Sequence, residues 1–283
     1  MPRGVYTRKP KTKVDLDAAM PRMSLVVNET DEQIDARLRD RFEILDIMTR
    51  SACKGQTRAM IVSGPAGLGK SFTVERAVAD YDDSGKKAVI CKGFIRPTGL
   101  YKTLYAYRHP GDVIVFDDCD SVFQDADALN LLKAACDTTE RRRIMWGAET
   151  RMTDDTGAPL PWSFEFEGSI IFITNFDFDI GLESGSRFSE HFKALISRAH
   201  YIDTGMKSIR DYLVRIKQVV DAGMLEDRGL SKSEVKEILD YIFENAPKLR
   251  ELTLRVVIKL ASLYVTERKR WKDIAKITLH KPT

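Results

Sequence analysis

The chain has 283 residues, 43% of them hydrophobic, so it can bury one large core or two modest ones. Its formal net charge of +3 identifies no partner. No run approaches about 18 consecutive apolar residues, and the N-terminus lacks an apolar leader pattern. Four scattered cysteines without a C-x-x-C pair argue against a disulfide framework or a zinc site. We therefore expect a soluble, cytoplasmic protein of two domains that does not contact a membrane.

The N-terminal segment is basic. Residues 1–13 carry five Lys or Arg side chains and no acid, and we predict that residues 1–30 form a tail and linker. The tail either binds nucleic acid, with Tyr6 stacking on a base, or is a solvated terminus, and both interpretations stay open. From Asp31 to about Lys54, apolar residues recur every three or four positions, which predicts an amphipathic helix.

A glycine-rich motif follows an apolar strand pattern at residues 60–62. The segment GPAGLGKS, residues 64–71, matches the phosphate-loop motif G-x-x-x-x-G-K-[ST] at every fixed position, and a helical pattern follows. Its glycines let backbone amides curl around phosphates, Lys70 would reach the β- and γ-phosphates, and the Ser71 hydroxyl would ligate Mg²⁺. We expect ATP to contact Gly64, Pro65, Ala66, Gly67, Leu68, Gly69, Lys70, Ser71 and Phe72.

Acidic residues close a later buried strand. A second strand is predicted at residues 87–91 and a helix at about 100–108, after which Val113–Phe116 runs into two aspartates. Asp117 would hold the Mg²⁺ shell, and Asp118 would orient or deprotonate an attacking water. The order strand, phosphate loop, helix, strand and acids favours an ATP-hydrolysing site over a chance match.

The next segments predict a hairpin and a further strand. Residues 121–138 have a helical pattern, and strand-like runs at 141–149 and 162–167 flank a polar turn, which predicts a β-hairpin inserted near 141–168. The apolar run at 170–174 then ends in Asn175. Its amide could hydrogen-bond the attacking water or the γ-phosphate, or it could simply form a turn.

The sequence pattern after residue 190 predicts mostly helices. Residues 190–204 predict a helix and a short strand with Arg198 at their junction, and helices are expected at about 209–222, 232–244 and 253–271. We therefore divide the chain into a nucleotide-binding αβα domain, residues 31–205, and a small helical lid, residues 206–283.

Taken together, the segments GPAGLGKS, VIVFDDCD, IIFITN and ALISRAHYID resemble, in this order, the AAA+ superfamily of ring-forming ATPases over roughly residues 31–270. Around the segments GLYKTLY and DDCDSVF, the sequence resembles phage-encoded members of this superfamily. The resemblance implies an α/β fold, a phosphate-loop αβα sandwich with a parallel sheet and an all-α lid. It also implies ATP and Mg²⁺ as cofactors and a homo-oligomer, a hexameric ring.

The resemblance also assigns roles to individual residues. Lys70 and Ser71 match Walker A, and Asn175 matches sensor 1. The arginine finger, which acts on a neighbouring subunit's nucleotide, is Arg198, with Arg187 as the competing candidate. Sensor 2 is Arg255, with Arg250 second.

The Walker B segment departs from the family pattern. Asp117 and Asp118 stand where the family has Asp-Glu, and an aspartate is one methylene shorter than a glutamate. Slow turnover is therefore expected if the water does not sit closer to the shorter carboxylate.

The hairpin and one loop are the candidate substrate contacts. AAA+ helicases with a hairpin at this place use it in the ring pore, and this hairpin offers stacking and basic side chains: Arg141, Arg142, Arg143, Arg151, Trp146 and Trp162. A surface hairpin with solvated arginines is the competing interpretation. The loop with Phe94, after the second strand, is the second candidate pore element. In protein unfoldases such a loop grips a polypeptide, and Phe94 could serve either kind of substrate. The leading hypothesis is a helicase-like or loader-like motor or remodeller that acts on nucleic acid, single-stranded DNA favoured, in phage-type replication or recombination. A protein remodeller and a scaffold of low turnover are the alternatives.

Overall fold

The computed structural model describes residues 29–81, 86–147, 151–154, 156–176, 178 and 188–282. Nearly all of the expected basic tail and the alternative finger Arg187 lie outside the described residues. Within the described ranges, no helix combines the length and the apolar composition that crossing a bilayer requires. The cysteines at 53, 91, 119 and 136 are free thiols.

Helices and strands alternate in the first two thirds of the chain, and helices follow. The strands are β1 (Ala59–Ser63), β2 (Ala88–Lys92), β3 (Val113–Asp117), β4 (Arg143–Met145), β5 (Ser163–Glu165), β6 (Ser169–Thr174) and β7 (His200–Asp203). The α-helices are α1 (Asp31–Cys53), α2 (Lys70–Ala79), α3 (Pro97–Ala106), α4 (Ala126–Ala135), α5 (Ser189–Ile196), α6 (Ile209–Asp221), α7 (Lys232–Asn245), α8 (Leu254–Thr266) and α9 (Trp271–Leu279). Short 3₁₀ helices span Asp120–Phe123 and Glu226–Arg228.

The central sheet is parallel and has the order β2-β3-β6-β1-β7. Its two faces carry separate apolar cores, one with side chains of α1 and α2 and the other with side chains of α3, α4 and α5. The expected αβα sandwich with a parallel sheet is confirmed. Since successive strands are parallel, their carboxyl ends meet at one edge, where a ligand site in such sheets lies.

The strand β1 shows why the apolar runs are continuous. Met60 and Val62 point into the core shared with α1 and α2, whereas Ile61 points into the core shared with α3 and α4. Because side chains alternate along a strand and helices cover both faces, every position of β1 is buried. The same double burial applies to β3 and β6.

Two further parts flank this sheet. The strands β4 and β5 pair antiparallel with Arg143 opposite Glu165. The helices α6 to α9 enclose a third apolar core. They contact the sheet region through α6, where the guanidinium of Arg37 donates at 2.7 Å both to the buried carboxylate of Asp211 and to the carbonyl of Gly205.

One predicted helix is wrong in its extent. The pattern predicts a single helix over residues 253–271, but α8 ends at Thr266 and α9 begins at Trp271. The break turns the indole of Trp271 into the core, 5.0 Å from the ring of Tyr241 and 5.2 Å from that of Tyr264 between centroids. Burial of this large ring against two others outweighs the helical pattern that runs through the break.

Candidate nucleotide-binding site

The glycine-rich loop joins β1 to α2, and Lys70 is the first residue of that helix. Gly64 has φ +146° and Gly67 has φ +71°, values that side chains disfavour. A Cβ on Gly64 would lie 1.9 Å from the hydroxyl oxygen of Thr204, and one on Gly67 would lie 2.9 Å from the Cβ of Thr253. Glycine is therefore required at both positions by backbone shape and by close neighbours.

The ammonium of Lys70 lies inside this loop. Its Nζ donates to the carbonyls of Gly64 at 2.7 Å and Pro65 at 2.8 Å, and to the side-chain oxygen of Asn175 at 3.0 Å. Burial lowers the pKa of Lys70 to about 8, while the charges of Asp118 and Asp117 act to raise it. The loop thus holds a buried cation whose direct hydrogen-bond partners are all neutral, a setting that favours an anionic ligand.

The residues expected to hold Mg²⁺ touch each other. The Ser71 hydroxyl donates to Oδ1 of Asp117 at 2.8 Å, and Asp117 is only 3% exposed. A hydroxyl and a carboxylate are hard oxygen donors of the kind that Mg²⁺ prefers, and Mg²⁺ usually takes few protein ligands and completes its shell with water and phosphate oxygens. Among the described residues no cluster of three His, Cys, Asp or Glu side chains could hold a metal unaided. The pair fits Mg²⁺ bound together with a nucleotide.

Asp118 follows β3 and is exposed beside this pair. Its φ of +52° lies in the left-handed region, which is uncommon for a residue other than glycine. The side-chain NH₂ of Asn175 donates to Oδ1 of Asp118 at 2.9 Å. Asn175 therefore links the Lys70 ammonium to the Asp118 carboxylate, since its amide oxygen accepts from one residue and its NH₂ group donates to the other.

A third acid next to the site was missed by sequence reasoning. Asp120 is partly buried and accepts a hydrogen bond of 2.6 Å from the hydroxyl of Thr174, the last residue of β6. Burial raises the pKa of Asp120, and the nearby charge of Asp118 acts in the same direction. The signal was present in the sequence, because Asp120 closes the run DDCD that drew attention to its first two acids.

The two candidates for sensor 2 lie in different surroundings. Arg255 is exposed in the first turn of α8, and its positive charge contributes to lowering the pKa of Lys70. Arg250 donates from its Nε to the carbonyl of His280 at 2.7 Å. The backbone NH of Leu254 also donates to the carbonyl of Gly67 at 2.8 Å. The start of α8 therefore lies on the phosphate loop with Arg255, and Arg250 is tied to the C-terminal segment.

The finger candidate Arg198 lies just beyond α5. Its Nε is 3.3 Å from Oδ1 of Asp137, and its Nη1 donates to the carbonyl of Ala194 at 2.8 Å. These contacts hold Arg198 at the end of α5. Of the other expected contacts, Phe72 is largely exposed, whereas Leu68 is buried in the core. The Leu68 side chain is therefore unavailable to ATP, which could meet only its backbone.

A second residue missed by sequence reasoning is Arg215 of α6. Its guanidinium lies 3.4 Å from the ring centroid of Phe42 and donates to the carbonyl of Leu68 at 3.2 Å. Burial lowers the pKa of Arg215 to about 10. It connects α1, the phosphate loop and α6. No pattern in the sequence distinguishes it from a surface arginine, because its partners are far away along the chain.

The β4–β5 pair divides the basic side chains expected there. Arg142 is buried, with its guanidinium donating to the carbonyls of Ala135 at 2.8 Å and Gly168 at 2.9 Å, so it is not available to a phosphate. Arg143, Arg151 and Trp162 are exposed. The exposed basic and aromatic surface is therefore smaller than the sequence indicates.

The chain has a relative of known sequence in a bacteriophage. No family model matches the chain. The uncharacterized 36.7 kDa protein in the nrdC-mobD intergenic region of Enterobacteria phage T4 is 36% identical over 253 residues, which is 88% of this chain and 76% of that protein.

Solved structures are similar at low identity. The RuvB Holliday junction branch migration motor of Thermotoga maritima is 15% identical with a TM-score of 0.45, over 85% of this chain and 63% of that one. NtrX from Brucella abortus in complex with ATP is 15% identical with a TM-score of 0.41, over 87% and 51%. This chain spans less than two thirds of either protein.

The assignment of this chain rests on its own features and on the phage relative. The phosphate loop follows β1, the acidic pair begins at the end of β3, and Asn175 follows β6. These three strands are adjacent in the order β3-β6-β1. The C-terminal helices contact the phosphate loop. The chain belongs to the same family as the phage T4 protein, and it has a phosphate-loop αβα fold followed by a helical C-terminal region.

Proposed function

We propose that this protein binds and hydrolyses Mg-ATP as a subunit of a homo-oligomeric ring and uses the energy to act on nucleic acid. One observation carries the nucleotide part. The buried ammonium of Lys70, the Ser71–Asp117 pair and the Asn175–Asp118 pair converge at the carboxyl ends of three adjacent strands. This set supplies a phosphate contact, metal ligands and a candidate base within one site.

The chain's own groups suggest a division of labour. Bound Mg²⁺ would neutralise phosphate charge, held by Ser71 and Asp117. Lys70 would exchange its loop carbonyls for phosphate oxygens. Asn175 would orient Asp118, whose carboxylate would accept a proton from the attacking water.

Slow turnover is expected from the shape of this catalytic pair. Asp118 has a shorter side chain than a glutamate, and it is held by Asn175 on a backbone with positive φ. A longer water-to-carboxylate distance lowers the efficiency of proton transfer. If hydrolysis is very slow, the protein would act as a nucleotide-dependent scaffold and not as a motor.

Hydrolysis is expected to require assembly. Arg198 is held by Asp137 and Ala194 at the end of α5, so we propose that it acts on the nucleotide of a neighbouring subunit. Arg255, at the start of α8, would contact the nucleotide of its own subunit as sensor 2. A cation supplied in trans meets charge that develops during phosphoryl transfer and couples hydrolysis to ring formation, in a ring that we propose is hexameric.

The nucleic-acid part rests on the β4–β5 pair. Trp162 is 50% exposed and Met145 is 65% exposed, next to the exposed basic residues Arg143 and Arg151. Aromatic faces stack on unpaired bases and guanidinium groups meet phosphates, which favours single-stranded DNA as the substrate.

A polypeptide substrate is the second candidate, because one exposed aromatic residue favours it. Phe94 is 75% exposed in the loop after β2 and follows Gly93, at which an added Cβ would meet no atom within 4 Å. An open loop that presents a phenyl ring can grip an extended chain without reading its sequence.

A single comparison of rates separates these substrates. ATP hydrolysis would be measured with single-stranded DNA, duplex DNA, RNA or an unfolded protein added separately. We expect single-stranded DNA to stimulate most, with a binding constant that falls steeply as salt rises. Stimulation by the unfolded protein alone would overturn the nucleic-acid proposal, and failure to bind Mg-ATP under any condition would overturn the enzyme proposal itself.

A further inference from the structure

Lys92 occupies the metal side of the site. It is the last residue of β2 and lies opposite Asp117 in the strand register. Its Nζ is 3.1 Å from Oδ2 of Asp117 and donates to the carboxylate of Glu75 at 2.6 Å. The other Asp117 oxygen accepts from Ser71 at 2.8 Å. Both oxygens of the expected metal ligand are thus already engaged, one of them by an ammonium.

The two partners of this ion pair differ in burial. Asp117 is buried on a central strand, whereas the Lys92 side chain is 58% exposed on a long flexible stem. Glu75 of α2 gives the ammonium a second carboxylate to remain bound to. Lys92 can therefore leave Asp117 without losing an anionic partner.

We propose that Lys92 is a tethered cation that competes with the divalent metal for Asp117. It neutralises the buried carboxylate while no metal is bound and shifts fully to Glu75 when the metal arrives. The inference rests on the proposed function, because it assumes that Ser71 and Asp117 hold Mg²⁺. It adds a positioning residue that controls how strongly the site takes metal.

The competition has a direction that follows from charge. A metal ion entering beside a positive ammonium meets repulsion and must displace its contact with Asp117. Removal of the ammonium leaves an additional negative charge at the site. Metal affinity should rise when Lys92 loses its charge and should remain near that of the natural protein when an arginine replaces it.

The test measures metal binding without catalysis. Mn²⁺ would be titrated against the full-length protein saturated with a non-hydrolysable ATP analogue, with free Mn²⁺ followed by electron paramagnetic resonance. We expect Lys92→Gln to bind Mn²⁺ about tenfold more tightly, as the loss of one nearby like charge predicts. Lys92→Arg should stay within about twofold of the natural protein. Lys193→Gln is the matched control, since Lys193 is equally exposed and also pairs with a glutamate.

Glu75 gives a result of opposite sign. Glu75→Gln removes the alternative partner of Lys92, so the ammonium stays on Asp117 and Mn²⁺ binding weakens several-fold. When Lys92 is already replaced by Gln, the Glu75→Gln substitution should weaken Mn²⁺ binding less, because part of its effect acts through the Lys92 ammonium. Equal effects in both backgrounds would show that Glu75 does not act through Lys92 and would overturn the exchange.

The outcomes separate this inference from the proposed function. If the analogue binds but Lys92→Gln binds Mn²⁺ no more tightly than the natural protein, the role of Lys92 is overturned and the nucleotide site stands. If the natural protein binds neither the analogue nor its metal, the role of Lys92 and the proposed nucleotide-binding function are both overturned. Unchanged circular dichroism and melting temperature of each variant exclude misfolding as the cause.

Discussion

The carboxyl edge of the sheet and the β4–β5 pair both carry charged side chains, but in opposite settings. At the sheet edge the charged and amide groups contact one another, and Lys70 and Asp117 are buried. On the β4–β5 pair, Arg143 and Trp162 are exposed. The buried Arg142 donates its hydrogen bonds to backbone carbonyls.

The difference in burial decides how strongly the structure supports a function for each region. Burying the Lys70 ammonium against neutral carbonyls costs stability, and this cost supports the proposal that the loop holds an anionic ligand. An exposed arginine costs nothing and needs no function. The geometry therefore supports the proposed nucleotide site, whereas the proposed substrate surface rests only on the exposure of its side chains.

The largest expected effect comes from removing the buried cation. Lys70→Ala should lower nucleotide affinity by about 10³-fold, roughly 4 kcal/mol, because phosphates would lose a buried positive partner. A fluorescent ATP analogue measures this affinity, and Lys54→Ala on the exposed end of α1 is the control. Affinity retained in Lys70→Ala would contradict the assignment of the loop to phosphate.

The next effect separates binding from hydrolysis. Arg198→Ala should leave nucleotide affinity unchanged while ATP hydrolysis in the assembled ring falls by about 10³-fold or more, since the finger stabilises charge only in the transition state. Activity should return in part when this variant is mixed with Lys70→Ala, because one supplies the site and the other the finger. Unchanged turnover in Arg198→Ala would assign the finger elsewhere, Arg187 being the competing candidate.

The low pKa of Lys70 predicts a pH dependence of nucleotide binding. Burial lowers the pKa to about 8 in the free protein, and bound phosphate should raise it. The complex then holds a proton that the free protein has lost, so affinity should fall above pH 8 by up to about tenfold per pH unit. Lys70→Arg stays charged and should show a flat profile over this range. A flat profile for the natural protein would show that the ammonium does not meet phosphate.

The smallest expected effect concerns the exposed surface of the β4–β5 pair. Trp162→Ala should weaken binding of labelled single-stranded DNA by about tenfold, the loss expected for one stacked base. Fluorescence anisotropy measures it, and Phe243→Ala, a partly exposed ring of α7, is the control. Equal affinity of Trp162→Ala and the natural protein would favour a polypeptide substrate held near Phe94.

Local pattern was sufficient for the nucleotide part of the molecule. The phosphate loop, the acids after β3 and the asparagine after β6 could be predicted because each lies within a few residues of the strand that positions it. Parallel strands bring their carboxyl ends to one edge, so three separate local signals predict one site.

Contacts between distant segments decided the rest. Sequence patterns were enough to predict the order of the motifs and the parallel sheet, and to propose which residues meet phosphate and metal. Only the tertiary structure placed Lys92 on Asp117, Arg215 on the phosphate loop and Arg142 in the interior, and broke the last predicted helix before Trp271. The physical reason is that such contacts depend on how elements pack across many intervening residues, which no short-range periodicity records.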